Sequence, residues 1–275
     1  YMEQTGLKDK IMQILSSLNK EDTSSFQSAA AQIQQLIVAT PIPQEIQEEI
    51  IDSYELLGVD DSAGSLISAK DEFVAVRSSA TAEDAPMTSF AGQMSSFLNM
   101  RGRDAVLQAV HVCWASLFTS KAIYYREKHE FDHGKVLLAV VVQKMVNAEK
   151  AGVMLTTNPV NTDQLLIEGM YGLGELRGEV TPDIYTVHRQ SRAITTDVKE
   201  QRVGIFRSEK GMSEKQPIPQ DEQGRQKVQD MDITELARLG MKIEQHYGKP
   251  QDIEWCISNG KVYIVQSRPV TTIQQ

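Results

Sequence analysis

The chain has 275 residues, 41% of them hydrophobic and 24% charged, with a formal net charge of -9 and a pI near 5.2. That balance is ordinary for a globular protein and argues against nonspecific nucleic-acid binding, which needs a basic surface. No run approaches the roughly 18 consecutive apolar residues of a membrane span, and the opening YMEQTGLKDK lacks the basic start and apolar core of a signal peptide, so the expected location is the cytoplasm. The length allows one large domain or two lobes sharing a cleft. Cys113 and Cys256 stand far apart, without metal-site spacing, and read as small buried hydrophobes.

The first sixty residues read as helices. Leu7, Ile11, Ile14 and Leu15 fall on one helical face, as do Ile33, Leu36 and Ile37 before the punctuation of Pro41 and Pro43. A third helix is predicted over 44–57, with Ile46, Ile50, Ile51 and Tyr54 on one side. This segment carries no catalytic constellation, so its expected role is packing. The start at Tyr1, without an initiator Met, reads as that of a fragment of a longer protein.

From Phe73 the texture changes. FVAVRSS predicts a strand, residues 78–93 a loop of small residues, and SSFLNM a second strand. One helical stretch is predicted over 103–129, with Val106, Val110, Trp114, Leu117 and Ile123 as core. KVLLAVVVQKMV, residues 135–146, is nearly continuously apolar and reads as a strand buried on both faces. Strands over 152–157 and 165–169 follow, then the glycine-rich GMYGLGELRGEVTPD. A hairpin is predicted from 185–188 and 194–197, irregular chain over 200–221, and an amphipathic helix over 233–247. DIEWCI and KVYIVQS then read as two strands joined by the turn SNG.

Several residues suit phosphate and magnesium. Arg77 ends a strand, and Arg grips phosphate with paired hydrogen bonds. After it, Ser89, Ala91 and Gly92 would let backbone N–H groups approach an anion closely, or they form an ordinary loop. Asp252 and Glu254 share one strand face by their even spacing, and so do Gln266 and Arg268. If the strands pair across SNG, the four groups converge as a metal and phosphate cluster or as a salt-bridge ladder. Gln143, Lys144, Met145 and Val146 end the apolar strand, as a backbone edge for a planar base or as plain core. None of the five histidines stands among small residues: His111 and His129 lie in helical stretches, His133 in a turn, and His188 and His246 at element ends, each read as structural or exposed.

VAVRSSATAEDAPMTSFAGQ, CWASLFTSKAIYYRE, VVVQKMVNAEKAGVMLTTNPV, YGLGE, VTPD and HYGKPQDIEW…GKVYIVQSRPVTT, in this order, resemble the N-terminal nucleotide-binding domain shared by phosphoenolpyruvate synthase, pyruvate, phosphate dikinase and rifampin phosphotransferase. The resemblance covers about residues 70–275. It implies an α+β fold of ATP-grasp type in which two lobes clamp ATP, truncated at its N-terminus and with an N-terminal helical segment. The expected division is 1–68 as that segment, 69–146 as the rest of the first lobe, and 147–275 as the second lobe.

Carried over by motif, Arg77 and Arg268 are the phosphate-binding and catalytic arginines, and Ser89, Phe90, Ala91, Gly92 and Gln93 form the phosphate-covering loop. Gln143, Lys144, Met145 and Val146 take the adenine, and Glu254 and Gln266 ligate Mg²⁺ with Asp252 beside them. The family reaction moves the β-phosphoryl of ATP to a histidine on a swivelling domain, which then phosphorylates pyruvate bound by a third domain. A rifampin-type antibiotic kinase and a catalytically silent nucleotide-binding module are the alternatives, and a homodimer is compatible with either. The family's upstream phosphate-gripping Lys precedes Tyr1, so weak ATP binding without turnover is expected of this chain alone. Two segments depart from the family pattern. Ala85-Pro86-Met87-Thr88-Ser89 stands where relatives carry an acidic residue, and YGLGELRGEVTPD is shorter than usual, so no ligand role is carried over to Glu175.

Overall fold

The computed structural model describes residues 1–58, 72–81, 96–174 and 179–270. They divide into two compact units, Tyr1–Met145 and Val146–Gln275.

In the first unit, α1 (Leu7–Ser16), α2 (Thr23–Ala39) and α3 (Gln44–Leu56) precede β1 (Phe73–Ala80), β2 (Ser96–Arg101), α4 (Arg103–Ser116), α5 (Ser120–Lys128) and β3 (Leu138–Lys144). The stripe of α1 buries Leu7, Ile11 and Leu15 against Ile33 and Ile37 of α2 and against Phe118 and Ile123. Asp22 caps α2 by accepting from the Ser24 N–H (2.9 Å), satisfying a backbone donor that the first turn leaves open. The three strands form an antiparallel sheet in the order β2-β1-β3. Val74 and Val76 pack from one face of β1 on Val106, Ala109, Val110 and Cys113 of α4.

Two expectations change here. The helical stretch over 103–129 is two helices, because the Thr119 hydroxyl accepts from the Ala122 N–H (3.2 Å) and starts a new helix. One window of this stretch reaches a mean hydropathy of 1.2, yet its Val106, Val110, Cys113 and Ile123 are core residues. The apolar run over 135–146 is not buried on both faces. β3 is an edge strand in a sheet whose helices pack on one side: Val140 and Val142 join the core, while Val141 on the other face is 47% exposed.

The second unit contains β4 (Lys150–Leu155), β5 (Gln164–Tyr171), β6 (Asp183–His188), β7 (Ile194–Asp197), β8 (Val203–Arg207), β9 (Ser213–Pro217), α6 (Asp230–Tyr247), β10 (Gln251–Ser258) and β11 (Lys261–Pro269). Six strands form an antiparallel sheet in the order β11-β10-β4-β5-β6-β7. Ile233, Leu236 and Ala237 of α6 cover one face of it, packed on Met154, Ile167, Tyr185, Ile253 and Trp255. Burial of each such large side chain contributes about 1.5–3 kcal/mol.

Trp255 needs unusual room. It pairs with Gly152 of β4, which pairs in turn with Gly169 of β5. A Cβ on Gly152 would lie 2.7 Å from the Trp255 indole, and one on Gly169 would lie 3.3 Å from it. The two glycines form the trough that accepts the ring.

The region over 200–221 also differs from expectation. It holds the antiparallel hairpin β8–β9 rather than irregular chain. The chain on either side of it is fastened by Asp183, a fully buried carboxylate that pairs with Lys227 Nζ (2.9 Å) and accepts from the Lys199 and Lys227 N–H groups (2.8 Å each) and the Tyr185 hydroxyl (2.7 Å). A buried pair is tolerated when every remaining polar position is satisfied, as it is around this carboxylate.

Gly152→Ala would place its Cβ 1.8 Å from the Glu168 carbonyl oxygen, so relief requires strand movement. The expected cost is about 3 kcal/mol, or about 6–12 °C of melting temperature for a domain of this size. Calorimetry checks it, and an unchanged melting temperature contradicts the trough.

Candidate functional site

The hairpin β10–β11 brings the four expected groups together, by a route that alternation alone does not provide. Asn259 and Gly260 both have positive φ (50° and 69°), as a two-residue type I′ turn requires. From it Ser258 pairs with Lys261, Cys256 with Tyr263 and Trp255 with Ile264. Continued unchanged, that register would oppose Glu254 to Val265 and turn Gln266 and Arg268 toward the core. Instead Glu254 pairs with Gln266 and Asp252 with Arg268, because a β-bulge between Glu254 and Trp255 leaves Val265 as the extra residue of β11.

Asp252, Glu254, Gln266 and Arg268 therefore line the sheet face opposite α6. Arg268 donates through Nε (3.0 Å) and Nη2 (2.8 Å) to one oxygen, Oδ2 of Asp252. Both side chains are partly exposed, so the pair adds little stability, but it fixes the direction of the guanidinium. Beside it a carboxylate and an amide stand as direct cross-strand partners. Along the same face, Cys256 packs with Ala148 and Ala151 and with the partly buried Val146, Leu173 and Val265.

In the first unit, Arg77 and Gln143 lie on the sheet face away from α4, and Arg77 Nη1 donates to Gln143 Oε1 (3.4 Å). Lys144 pairs with Glu72 (3.4 Å), and the Met145 N–H donates to the Phe73 carbonyl (2.8 Å). Val146 belongs to the second unit. Ser89, Phe90, Ala91, Gly92, Gln93 and Glu175 lie outside the described residues.

One cation went unnoticed in the sequence. Arg126 of α5 is 0% exposed, and its Nη1 and Nη2 have no hydrogen-bond partner among the described residues. Its Nε donates to His133 Nδ1 (2.8 Å), and its guanidinium lies over the Phe118 ring (5.3 Å). Burial pulls its pKa down to about 10, partly offset by Glu127, so it is charged at neutral pH. Two buried donors without partners cost about 1–3 kcal/mol each. The sequence did hold a signal: Arg126 follows Ala122 and Ile123 at helical spacing, on the buried stripe.

Three of the histidines make contacts within the fold. His111 Nε2 bonds the Tyr1 hydroxyl (2.9 Å) and the Ile37 carbonyl (2.8 Å), and His133 Nε2 bonds Glu127 (2.9 Å). His188 Nδ1 accepts two N–H groups of its own turn. Cys113 and Cys256 are buried, and burial pushes both thiols up to about 11.

A family model described as the pyruvate phosphate dikinase AMP/ATP-binding domain matches residues 1–275. The chain belongs to this family. The match takes in the helical segment before residue 70, so those helices are part of the AMP/ATP-binding domain. The chain is 45% identical over 276 residues to a probable phosphoenolpyruvate synthase of Methanothermobacter thermautotrophicus, covering 99% of this chain and 40% of that protein. It is 43% identical to the phosphoenolpyruvate synthase of Pyrococcus furiosus (99% and 34% covered) and 37% identical to the rifampicin phosphotransferase of Bacillus subtilis (99% and 30% covered). The chain thus spans less than half the length of these relatives.

The His133 bonds give a pH prediction for this domain. Burial, and secondarily the Arg126 charge, hold His133 below its ordinary 6.5 against the opposing pull of Glu127 and Asp132. The unfolded chain then takes up the proton first, and stability falls as pH drops through about 6.5. His111 shifts the same way, chiefly by burial. Melting temperature is expected to fall between about pH 7 and about pH 5, and less steeply in His133→Gln. An equal slope in the variant contradicts the assignment.

Proposed function

We propose that the chain is the ATP-binding domain of a phosphoenolpyruvate synthase-type dikinase, with an ATP-grasp fold. In this reading it passes the β-phosphoryl of ATP to a histidine carried elsewhere in the full-length protein, on the way from pyruvate to phosphoenolpyruvate. The observation that carries the reading is the bulge at Val265, which sets Gln266 and Arg268 on one face with Glu254 and Asp252. Strict alternation would have turned Gln266 and Arg268 toward the core, and the bulge places them on the polar face instead.

Each residue then has a task. Arg268, braced by Asp252, and Arg77 stabilise charge on the phosphates as the bond breaks. Glu254 and Gln266 hold Mg²⁺. Among the described residues no group of three His, Cys, Asp or Glu side chains could hold a metal by itself. A carboxylate and an amide oxygen fit an ion that brings water and phosphate oxygens for its remaining positions, as Mg²⁺ with a nucleotide does. Gln143 to Val146 offer the base a backbone edge, and Ser89 to Gln93 cover the phosphates.

Identities of 43–45% to proteins named phosphoenolpyruvate synthase, against 37% to rifampicin phosphotransferase over the same span, support pyruvate over an antibiotic as the final acceptor. The phosphohistidine and pyruvate-binding domains of the full-length protein are the partners this requires.

Glu254→Gln is the test. Mg²⁺-dependent ATP affinity, measured by calorimetric titration of the full-length protein, is expected to fall about tenfold or more, the usual scale for a lost ligand-shell group, with little change in melting temperature. Unchanged affinity, or a loss confined to stability, would reduce the hairpin to a structural ladder.

A further inference from the structure

The hairpin β8–β9 has no place in the six-stranded sheet, and β9 is largely exposed. Besides the anchors of its flanks at Asp183, several of its attachments fall on one short stretch, the end of β5 and the turn after it. The Tyr171 N–H donates to Oε1 of Gln201 (2.8 Å), and Gln201 Nε2 donates back to the Tyr171 carbonyl (3.1 Å) and to the Val203 carbonyl (2.9 Å). Gln201 is 1% exposed, so its amide acts as a surrogate peptide, paired in both directions and shielded from water.

The next two residues are held by β8 itself. Gly172 has φ +87°, and a Cβ there would lie 2.3 Å from the Ile205 carbonyl oxygen, an approach open only to glycine. The Leu173 N–H donates to that same oxygen (2.8 Å). Beyond this contact the chain reaches the polar face of the sheet. Leu173 packs on Ala148, Ala151 and Cys256, and a Cβ on Gly174 would lie 3.3 Å from the Ala151 Cβ. Cys256 is one side-chain position from Glu254 on that face of β10. After the glycines, Glu179 pairs with Lys215 of β9 (2.7 Å).

We propose that Gln201 is a positioning residue for the nucleotide site: it fastens β8–β9 to β5 and so sets where the turn Tyr171–Gly174 lies on the face that carries Glu254 and Gln266. The inference rests on the ATP reading above. Gln201 touches no nucleotide and acts through the turn.

The experiment is calorimetric titration of Mg-ATP into the full-length protein, well below its melting temperature. Gln201→Glu keeps the side-chain shape and the acceptor for the Tyr171 N–H, but loses both donors and sets a carboxylate against two carbonyls. Gln201→Leu loses all three bonds. Each is expected to weaken ATP binding about tenfold, the lower end of what loss of an outer supporting partner costs. Leu236→Ala, which removes a fully buried side chain of α6 from the core on the opposite face of the sheet, is the control for destabilisation alone, expected to melt lower and bind ATP normally. Should Gln201→Leu fail to fold, Gln201→Glu decides. Gln201 variants that melt lower yet bind ATP as the unaltered protein does overturn the inference. If that pattern appears while Glu254→Gln has lost binding, this inference alone falls. If the unaltered protein does not bind Mg-ATP, the nucleotide reading falls and takes the inference with it.

Discussion

The second unit depends on a change of phase in one edge strand. Near the turn, β11 must place Val262 and Ile264 on the side of Trp255 and α6, because the core beneath Ile253 and Ile257 continues under that edge. At its far end the same strand presents Gln266 and Arg268 on the opposite side. A strand of period two cannot meet both demands, since residues of one parity share a face. One extra residue, Val265, reconciles them, and its side chain joins the small apolar cluster around Cys256 rather than solvent. The cost is locally broken pairing. The return is a polar quartet on a strand whose neighbour β10 is fixed on both sides, by β4 and by β11.

Much of this was legible in the sequence. The parity of Asp252 and Glu254, the apolar positions between them and the SNG turn were enough to place a hairpin with one polar face. The bulge was legible in principle, because a two-residue turn at Asn259–Gly260 opposes even to odd positions and so cannot align two even-numbered pairs without an insertion. The hairpin β8–β9 was less accessible. SEKQP has no apolar alternation, since the hairpin is held by backbone hydrogen bonds, a glycine and a buried amide, and none of these leaves a periodic signal. The apolar run ending at Gln143 misled for the converse reason. Val140, Val141 and Val142 are alike in composition, and only the placement of helices on one side of the sheet separates the buried from the open.

Three buried polar side chains show two ways in which polarity is buried in this fold. Asp183 accepts from Tyr185, Lys199 and Lys227, and its ionic partner Lys227 also bonds backbone carbonyls. Gln201 uses its amide oxygen and both directions of the Tyr171 peptide. These satisfied groups specify which segments meet. Arg126 is different, because His133 satisfies its Nε while both terminal nitrogens lack a hydrogen-bond partner among the described residues.

Full satisfaction is the least costly state of a buried polar group, and a fold that achieves it at Asp183 and Gln201 has the means to achieve it elsewhere. Leaving a guanidinium half satisfied beside Phe118 costs stability that a Met or Leu of similar volume would recover. Glu127, the nearby carboxylate, is turned toward Lys20 and His133 instead. Partial burial is the largest single effect on it and acts upward, but the hydrogen bonds and charges of Lys20 and His133 together hold its carboxyl below the ordinary range. The neighbouring carboxylate is thus committed elsewhere, and among the described residues no group accepts from the two terminal nitrogens of Arg126.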